Sequence, residues 1–245
     1  MNFLNVFNNF DYHSYSKLLV SSLIIGASYY PLTMFLNKYP NFKQLKHEKK
    51  MYVSKNLVKS GILSYLSVML SYQLYDLIVG REINQLIFRY YGALYVGNDL
   101  AGLLFVRNLP NSTKFHHMST ILLFTILCTF DINQYSICRM MSVYTIFSSY
   151  PFMVNSYLGL RYLKDKNTTV DTYGYNINTA IEITRKMSYY TYLISCSMNW
   201  LTHTYMLSNI MYTSRLIYLD GIYCCILFPI IKDDLILLDW LKKNK

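Results

Sequence analysis

The sequence predicts an all-α fold: a polytopic transmembrane helical bundle of about seven spans, within a range of six to eight, with the N-terminus lumenal or outside and the C-terminus cytoplasmic. Three observations predict it. The 245-residue chain is 53% hydrophobic and only 15% charged, whereas a soluble domain usually carries about 25% charged residues. Its apolar residues are gathered into runs close to the ~20 residues that a bilayer crossing needs. Its basic residues fall unevenly between the connections, as they do where positive charge is retained on the cytoplasmic side. Mean hydropathy is a modest +0.19 because 26 Tyr and several Lys-rich connections dilute the runs.

The apolar runs cover residues 18–36, 57–79, 87–106, 116–130, 140–160, 187–209 and 216–231. The first is too long, and its leading flank too poor in Lys and Arg, for a cleaved signal peptide, so it is expected to stay as the first span. A Lys-rich segment follows it, with Lys38, Lys43, Lys46, Lys49, Lys50, Lys55 and Lys59. Placing that segment in the cytoplasm puts 18 of the 23 basic residues on one side and five (Lys17, Arg81, Arg89, Arg139 and Arg215) on the other. The organisation expected is an N-terminal span with its cytoplasmic loop over 1–56, a transmembrane domain over 57–240 and a basic tail over 241–245. The Thr-, Asn- and Tyr-rich stretch from Lys164 to Arg185 is the longest hydrophilic connection.

Composition also removes several functions. The five Cys residues form no Cys-x-x-Cys pair and have no His at zinc-ligand spacing, which argues against a disulfide framework or a metal site. The net charge of +10 sits beside the spans, where each Lys or Arg gains about 1 kcal/mol from anionic lipid. Anionic headgroups at the Lys-rich loop are therefore the expected partners, and nucleic acid is not.

Ionisable groups inside the runs are few: Asp76, Asp99, His116, His117, His203 and Asp220. Such groups are expensive in a bilayer and tend to face the bundle interior. Asp76 and Asp220 lie near run ends, where water or headgroups reach them. Asp99 lies eight residues before Arg107, roughly 12 Å into the bilayer at ~1.5 Å per residue, and is expected to be buried against the bundle. The turn from Arg107 to Asn111 reverses the chain and brings His116 and His117 back along the next helix at comparable depth. Imidazole titrates near neutrality and serves as base or nucleophile, so these three residues are the candidate catalytic group, in one polar pocket. Neighbours on a helix point about 100° apart, which lets one of the two His face that pocket directly. Trp200, three residues before His203, fits an aromatic belt.

Three patches in order resemble the TLC-domain family, the group of translocation-associated membrane proteins, ceramide synthases and ceroid-lipofuscinosis-type endoplasmic reticulum proteins. They are Tyr95-Val96-Gly97-Asn98-Asp99, then Lys114-Phe115-His116-His117, then Ser148-Ser149-Tyr150-Pro151-Phe152-Met153-Val154-Asn155. The resemblance covers residues 57–240 but is carried by about a tenth of the chain, and it lies closer to the branch outside the ceramide synthases. The His-Asp-x-x-Asp motif of the synthases is missing, since the corresponding helix, from Tyr144 to Pro151, has no acid. What the resemblance implies is lipid binding, sensing or membrane-lipid homeostasis in the endoplasmic reticulum, with Tyr95, Pro151 and Asn155 lining a lipid pocket. The alternative is a ceramide-synthase-like acyltransferase that takes acyl-CoA as substrate, His116 or His117 acting with Asp99. No cofactor is expected. The ending Lys242-Lys243-Asn244-Lys245 resembles a dilysine retrieval signal readable from the cytoplasm.

The orientation is testable on two glycosylation sequons, Asn111-Ser112-Thr113 and Asn167-Thr168-Thr169, which both fall in connections placed in the cytoplasm. Both stay unmodified when the chain is expressed in eukaryotic cells; a mass shift removed by an endoglycosidase reverses the topology.

Overall fold

Asp11 opens the first helix, α1 (Tyr12–Leu36), by accepting the backbone N–H of Ser14 at 3.0 Å, which satisfies one of the donors a helix start leaves unpaired. Burial pushes the Asp11 carboxyl up, but its bonds to Ser14 and to Arg89 outweigh that and hold it below the usual range. Arg89 also donates to the carbonyls of Leu127 and Phe130 at 3.1 and 3.0 Å. One guanidinium thus ties the start of α1 to the end of another helix, whose last carbonyls have no intrahelical partner.

The structure is a computed structural model describing residues 10–164, 177–212 and 218–244. These residues form nine α-helices and one short 3-10 turn, with no strand among them. After α1 come a single turn, α2 (Pro40–Lys43), and the longest early helix, α3 (His47–Val79). Then follow α4 (Gln85–Phe105), α5 (Asn111–Thr129), α6 (Ser136–Ser149), α7 (Phe152–Leu160), the 3-10 turn Arg161–Leu163, α8 (Ile177–Tyr212) and α9 (Tyr218–Lys243). By length and composition, α1 and α3 are long and apolar enough to cross a membrane. The sequon at Asn167, Lys166, Arg215 and the final Lys245 lie outside the described residues.

α3 runs through the centre, packing against α1, α4, α6 and α7. At about 1.5 Å per residue its 33 residues span roughly 50 Å. It stops at Gly80, whose φ of 81° is the left-handed cap that only glycine adopts without strain. The α1–α4 seam is built from small residues. Ala93, Gly97 and Ala101 repeat every fourth position on α4, and Ser21 and Gly26 face that helix from α1. A Cβ on Gly97 would sit 2.6 Å from Ser21 Oγ, and one on Gly26 would run into the Phe105 ring. Close backbone approach of this kind is how helices associate where there is no hydrophobic drive between them.

The surface is apolar to an unusual degree. Ile24, Met34, Val68, Leu201 and Phe228 are 65%, 74%, 72%, 67% and 73% exposed, while Ser54, Asn98, Asp99, Ser142 and Ser188 are fully buried.

The run over 140–160 is not one helix. Pro151 ends α6 and starts α7, because it has no N–H to give the carbonyl four residues back and its ring crowds the preceding turn. That carbonyl belongs to Phe147, and the Ser195 hydroxyl of α8 donates to it. A second serine of α8, Ser188, donates to the Met153 carbonyl at 2.8 Å. The Ser195 side chain of a neighbouring helix thus supplies what the proline removes, the usual condition for proline within a bundle.

Ser195→Ala therefore costs about 1 kcal/mol in detergent unfolding. In a Pro151→Ala background, where residue 151 supplies its own N–H, the same change costs close to nothing. Equal costs in both backgrounds show that Ser195 does not serve the proline break.

Candidate functional site

Three helices bring the polar interior together. α3 supplies Lys55 and Lys59, one turn apart on a buried stripe that continues through Leu63, Leu66 and Leu70. α4 supplies Tyr95 and Asp99 in the same i, i+4 relation, and α5 supplies His117 and Thr120. Lys59 Nζ donates to Asp99 Oδ1 at 2.6 Å. The Thr120 hydroxyl reaches Asp99 Oδ2 at 2.9 Å, shared with the His117 carbonyl at the same distance. His117 Nδ1 lies 3.0 Å from Asp99 Oδ1, near enough for strong attraction but without the in-line geometry of a directional hydrogen bond.

Lys55 completes the line. Its Nζ is 3.0 Å from His117 Nε2. An ammonium only donates, so with Lys55 protonated Nε2 accepts and the ring proton sits on Nδ1, facing Asp99. Gly102 makes room for this lysine, since a Cβ there would sit 2.9 Å from Lys55 Cε. Asp99 is 0% exposed, and Lys55, Lys59 and His117 are 4%, 9% and 3%.

This cluster forms one wall of a cavity of about 400 Å³. Lys55, Lys59, His116 and His117 line it, with Tyr95, Pro151 and Asn155. Asp99 stands behind His117 and Lys59. Leu63, Phe147, Val154, Leu158 and Leu237 make the apolar part. His116 turns to the opposite wall, its Nδ1 3.8 Å from Asp233 Oδ2. Beside it the Tyr192 hydroxyl donates to Asp234 Oδ1 at 2.7 Å. Both His116 and His117 thus line the cavity, where the ~100° offset between helix neighbours predicts only one, because the pocket is wide enough for them to meet different acids across it.

His203 is elsewhere. Its Nδ1 donates to the Asn199 carbonyl at 2.9 Å, which leaves Nε2 to accept the Tyr223 hydroxyl at 2.9 Å; it is a satisfied core histidine. Asp76 is half-exposed beside Arg81 at 3.7 Å, at the helix end. Asp220, expected at an interface, is buried and accepts from Ser136 at 2.9 Å. Among the described residues no group of three or more His, Cys, Asp or Glu could hold a metal ion.

Sequence reasoning expects Asp99, His116, His117, Tyr95, Pro151 and Asn155 in one pocket; all but Asp99 line the cavity, Asp99 lies behind its wall, and four residues that reasoning omitted complete the site. Lys55 and Lys59 were assigned to a cytoplasmic loop in contact with headgroups; they are interior, because α3 begins at His47 and carries both on its buried face. Asp233 and Asp234 lie past the end set for the seventh run at 231, yet the buried stripe of α9 continues through Tyr223, Leu227, Ile230, Asp234, Leu238 and Leu241. In both helices the periodicity that marks a buried face was present on the charged side of the boundary.

No family model, no curated protein and no solved structure matches the chain.

Asp99→Asn leaves Lys59 buried without its carboxylate, a loss of about 3–5 kcal/mol measured by unfolding in detergent. Replacing both partners together, Asp99→Asn with Lys59→Met, recovers most of it. A single-variant loss under about 1 kcal/mol, the size of a surface pair, shows that the pair is not desolvated.

Proposed function

We propose that this chain is a multi-pass membrane protein of the TLC-domain type that binds a lipid between its helices. The cavity of about 400 Å³, apolar on one side and lined by the Lys55–His117–Asp99 cluster on the other, is the observation that carries this reading. Support comes also from the distribution of polarity. The most apolar windows of α1 and α3 are only 33% and 28% buried, whereas the core helix of a water-soluble protein would bury most of such a window. An apolar exterior with serine, lysine and aspartate inside suits a bilayer as solvent.

The reading keeps seven crossings, with α6 and α7 together making the fifth, an N-terminus on the lumenal side and a cytoplasmic C-terminus in endoplasmic reticulum membrane. Its partners are membrane lipids.

A second reading, acyl transfer from acyl-CoA to an amine or hydroxyl, is favoured by one observation: His117 stands between Asp99 and Lys55 as an oriented imidazole. Its Nε2 is occupied by Lys55, which suits a base that passes a proton better than a carrier that takes the acyl group. His116, turned to Asp233, has the freer ring.

Purified in mild detergent, the protein carries lipid visible as mass adducts in native mass spectrometry. Ser148→Trp, which fills the cavity, removes most of them; full retention by the filled variant overturns lipid binding at this site. For the second reading, an acylated lipid formed in membranes expressing the wild type and lost with His117→Ala supports transfer, and an unchanged lipid profile argues against it.

A further inference from the structure

The mouth of the cavity, about one turn of α3 outward from Lys55, has its own chemistry. Arg161 lines it, and its guanidinium lies 4.9 Å from the Trp240 ring centroid and 5.0 Å from that of Tyr162. Lys49 approaches the same Tyr162 ring at 5.2 Å and the Tyr52 ring at 5.7 Å. Tyr52 and Tyr162 meet edge to face with centroids 6.3 Å apart. Two cations thus stand on a platform of three aromatic rings, and among the described residues neither forms an ion pair with a carboxylate. Arg161 spends one N–H on the Tyr162 hydroxyl at 3.3 Å, which leaves most of its planar fork of donors. Burial pushes the Tyr162 hydroxyl up, yet the two cations outweigh it and bring it below its ordinary value, so this end is electropositive. Lys49 is exposed, so the platform reaches the surface.

From Arg161 the cavity wall runs back through Leu158, Val154 and Phe147 to Tyr144, at most about 25 Å along the helical path. A guanidinium held by rings at the mouth, with an apolar wall leading inward, matches an amphiphile with an anionic head and a hydrocarbon tail.

We propose that Arg161, assisted by Lys49, seats the phosphate headgroup of an anionic lipid, whose chain lies along the apolar wall of the cavity. This rests on the lipid-binding reading and names the headgroup class it selects. Cation–π contact with Trp240 and Tyr162 holds the guanidinium in place before the lipid arrives, so little of its side-chain freedom remains to be lost on binding.

Trp240 gives a local signal, since the chain has two Trp residues and Trp200→Phe leaves Trp240 alone. The full-length Trp200→Phe protein in detergent is titrated with phosphatidic acid or phosphatidylcholine carrying brominated chains, each against its unbrominated form. Brominated phosphatidic acid is expected to quench at lower concentration than phosphatidylcholine. Arg161→Gln is expected to weaken the phosphatidic acid response about tenfold, the size of a lost charge-assisted hydrogen bond, with Arg161→Lys between the two and Lys114→Gln unchanged. Equal quenching by both lipids in the wild-type background overturns the headgroup assignment and leaves lipid binding standing. Absence of quenching by either lipid overturns lipid binding itself. Inorganic phosphate is the third arm: if it displaces the brominated phosphatidic acid, the seat is one for free phosphate and the lipid assignment falls.

Discussion

Asp99 carries its carboxylate at a point in the bundle that no solvent reaches. Taking such a group out of water costs several kcal/mol even after relaxation, and the surrounding architecture answers that cost. Lys59 supplies the opposite charge, Thr120 a hydroxyl donor, and His117 a ring nitrogen at 3.0 Å. These come from α3 and α5, so the carboxylate on α4 fixes the register of all three helices together: sliding any one of them by a turn would strand a charge. The small-residue seam between α1 and α4 lets the backbone approach from the other side, and Gly102 does the same for Lys55. Apolar packing alone would leave several registers close in energy, because the outward faces of these helices are as rich in large apolar side chains as the buried ones.

How far the site was legible follows from the same physics. Asp99, His116 and His117 stood out because a titratable group inside an apolar run is rare and expensive. The lysines did not, because the positive-inside rule offered them a loop, and a lysine beside a span ordinarily stays in one. What places them inside is the phase of α3: Lys55 and Lys59 fall in step with Met51, Leu63, Leu66 and Leu70. Asp234 was missed in the same way, in step with Ile230 and Leu238 but beyond Lys232. A charge marks the end of a hydrophobic segment, not of a helix, and here two helices keep a buried face past that mark. Among the described residues each of the seven apolar runs falls on helix, apart from the break that Pro151 makes, but the helices outrun most of them, as α3 does from His47 and α9 to Lys243.

That division shapes the cavity. The lining positions on the fifth segment are Tyr144, Phe147, Ser148, Pro151, Val154, Asn155, Leu158 and Arg161, a spacing of three and four that continues across the proline. The break changes direction without changing which face looks inward. α7 can therefore lie against α3, where a Cβ on Gly159 would press on Leu57, and the Ser60 hydroxyl donates to the Phe152 carbonyl at 3.0 Å. Ser195, which repairs the proline break, comes from α8, and α8 also brings Tyr192 and Asn199 to the same cavity. The residue that satisfies the broken backbone is thus on a helix that lines the pocket.

The cavity is consequently graded from its mouth inward. Near the surface a guanidinium rests on aromatic rings. About one turn of α3 further in, from Tyr52 to Lys55, begins the line of two lysines and an imidazole, with almost no exposure and the carboxylate behind it. Leu63 and Phe147 follow beyond Lys59 and are apolar. A ligand that satisfied only the mouth would bind without meeting the Lys55–His117 pair. One held at the mouth with a body longer than about two helical turns would have to pass that pair. Binding at the mouth and proton transfer at the line are therefore separable: the first depends on Arg161, and the second needs a polar group brought level with His117.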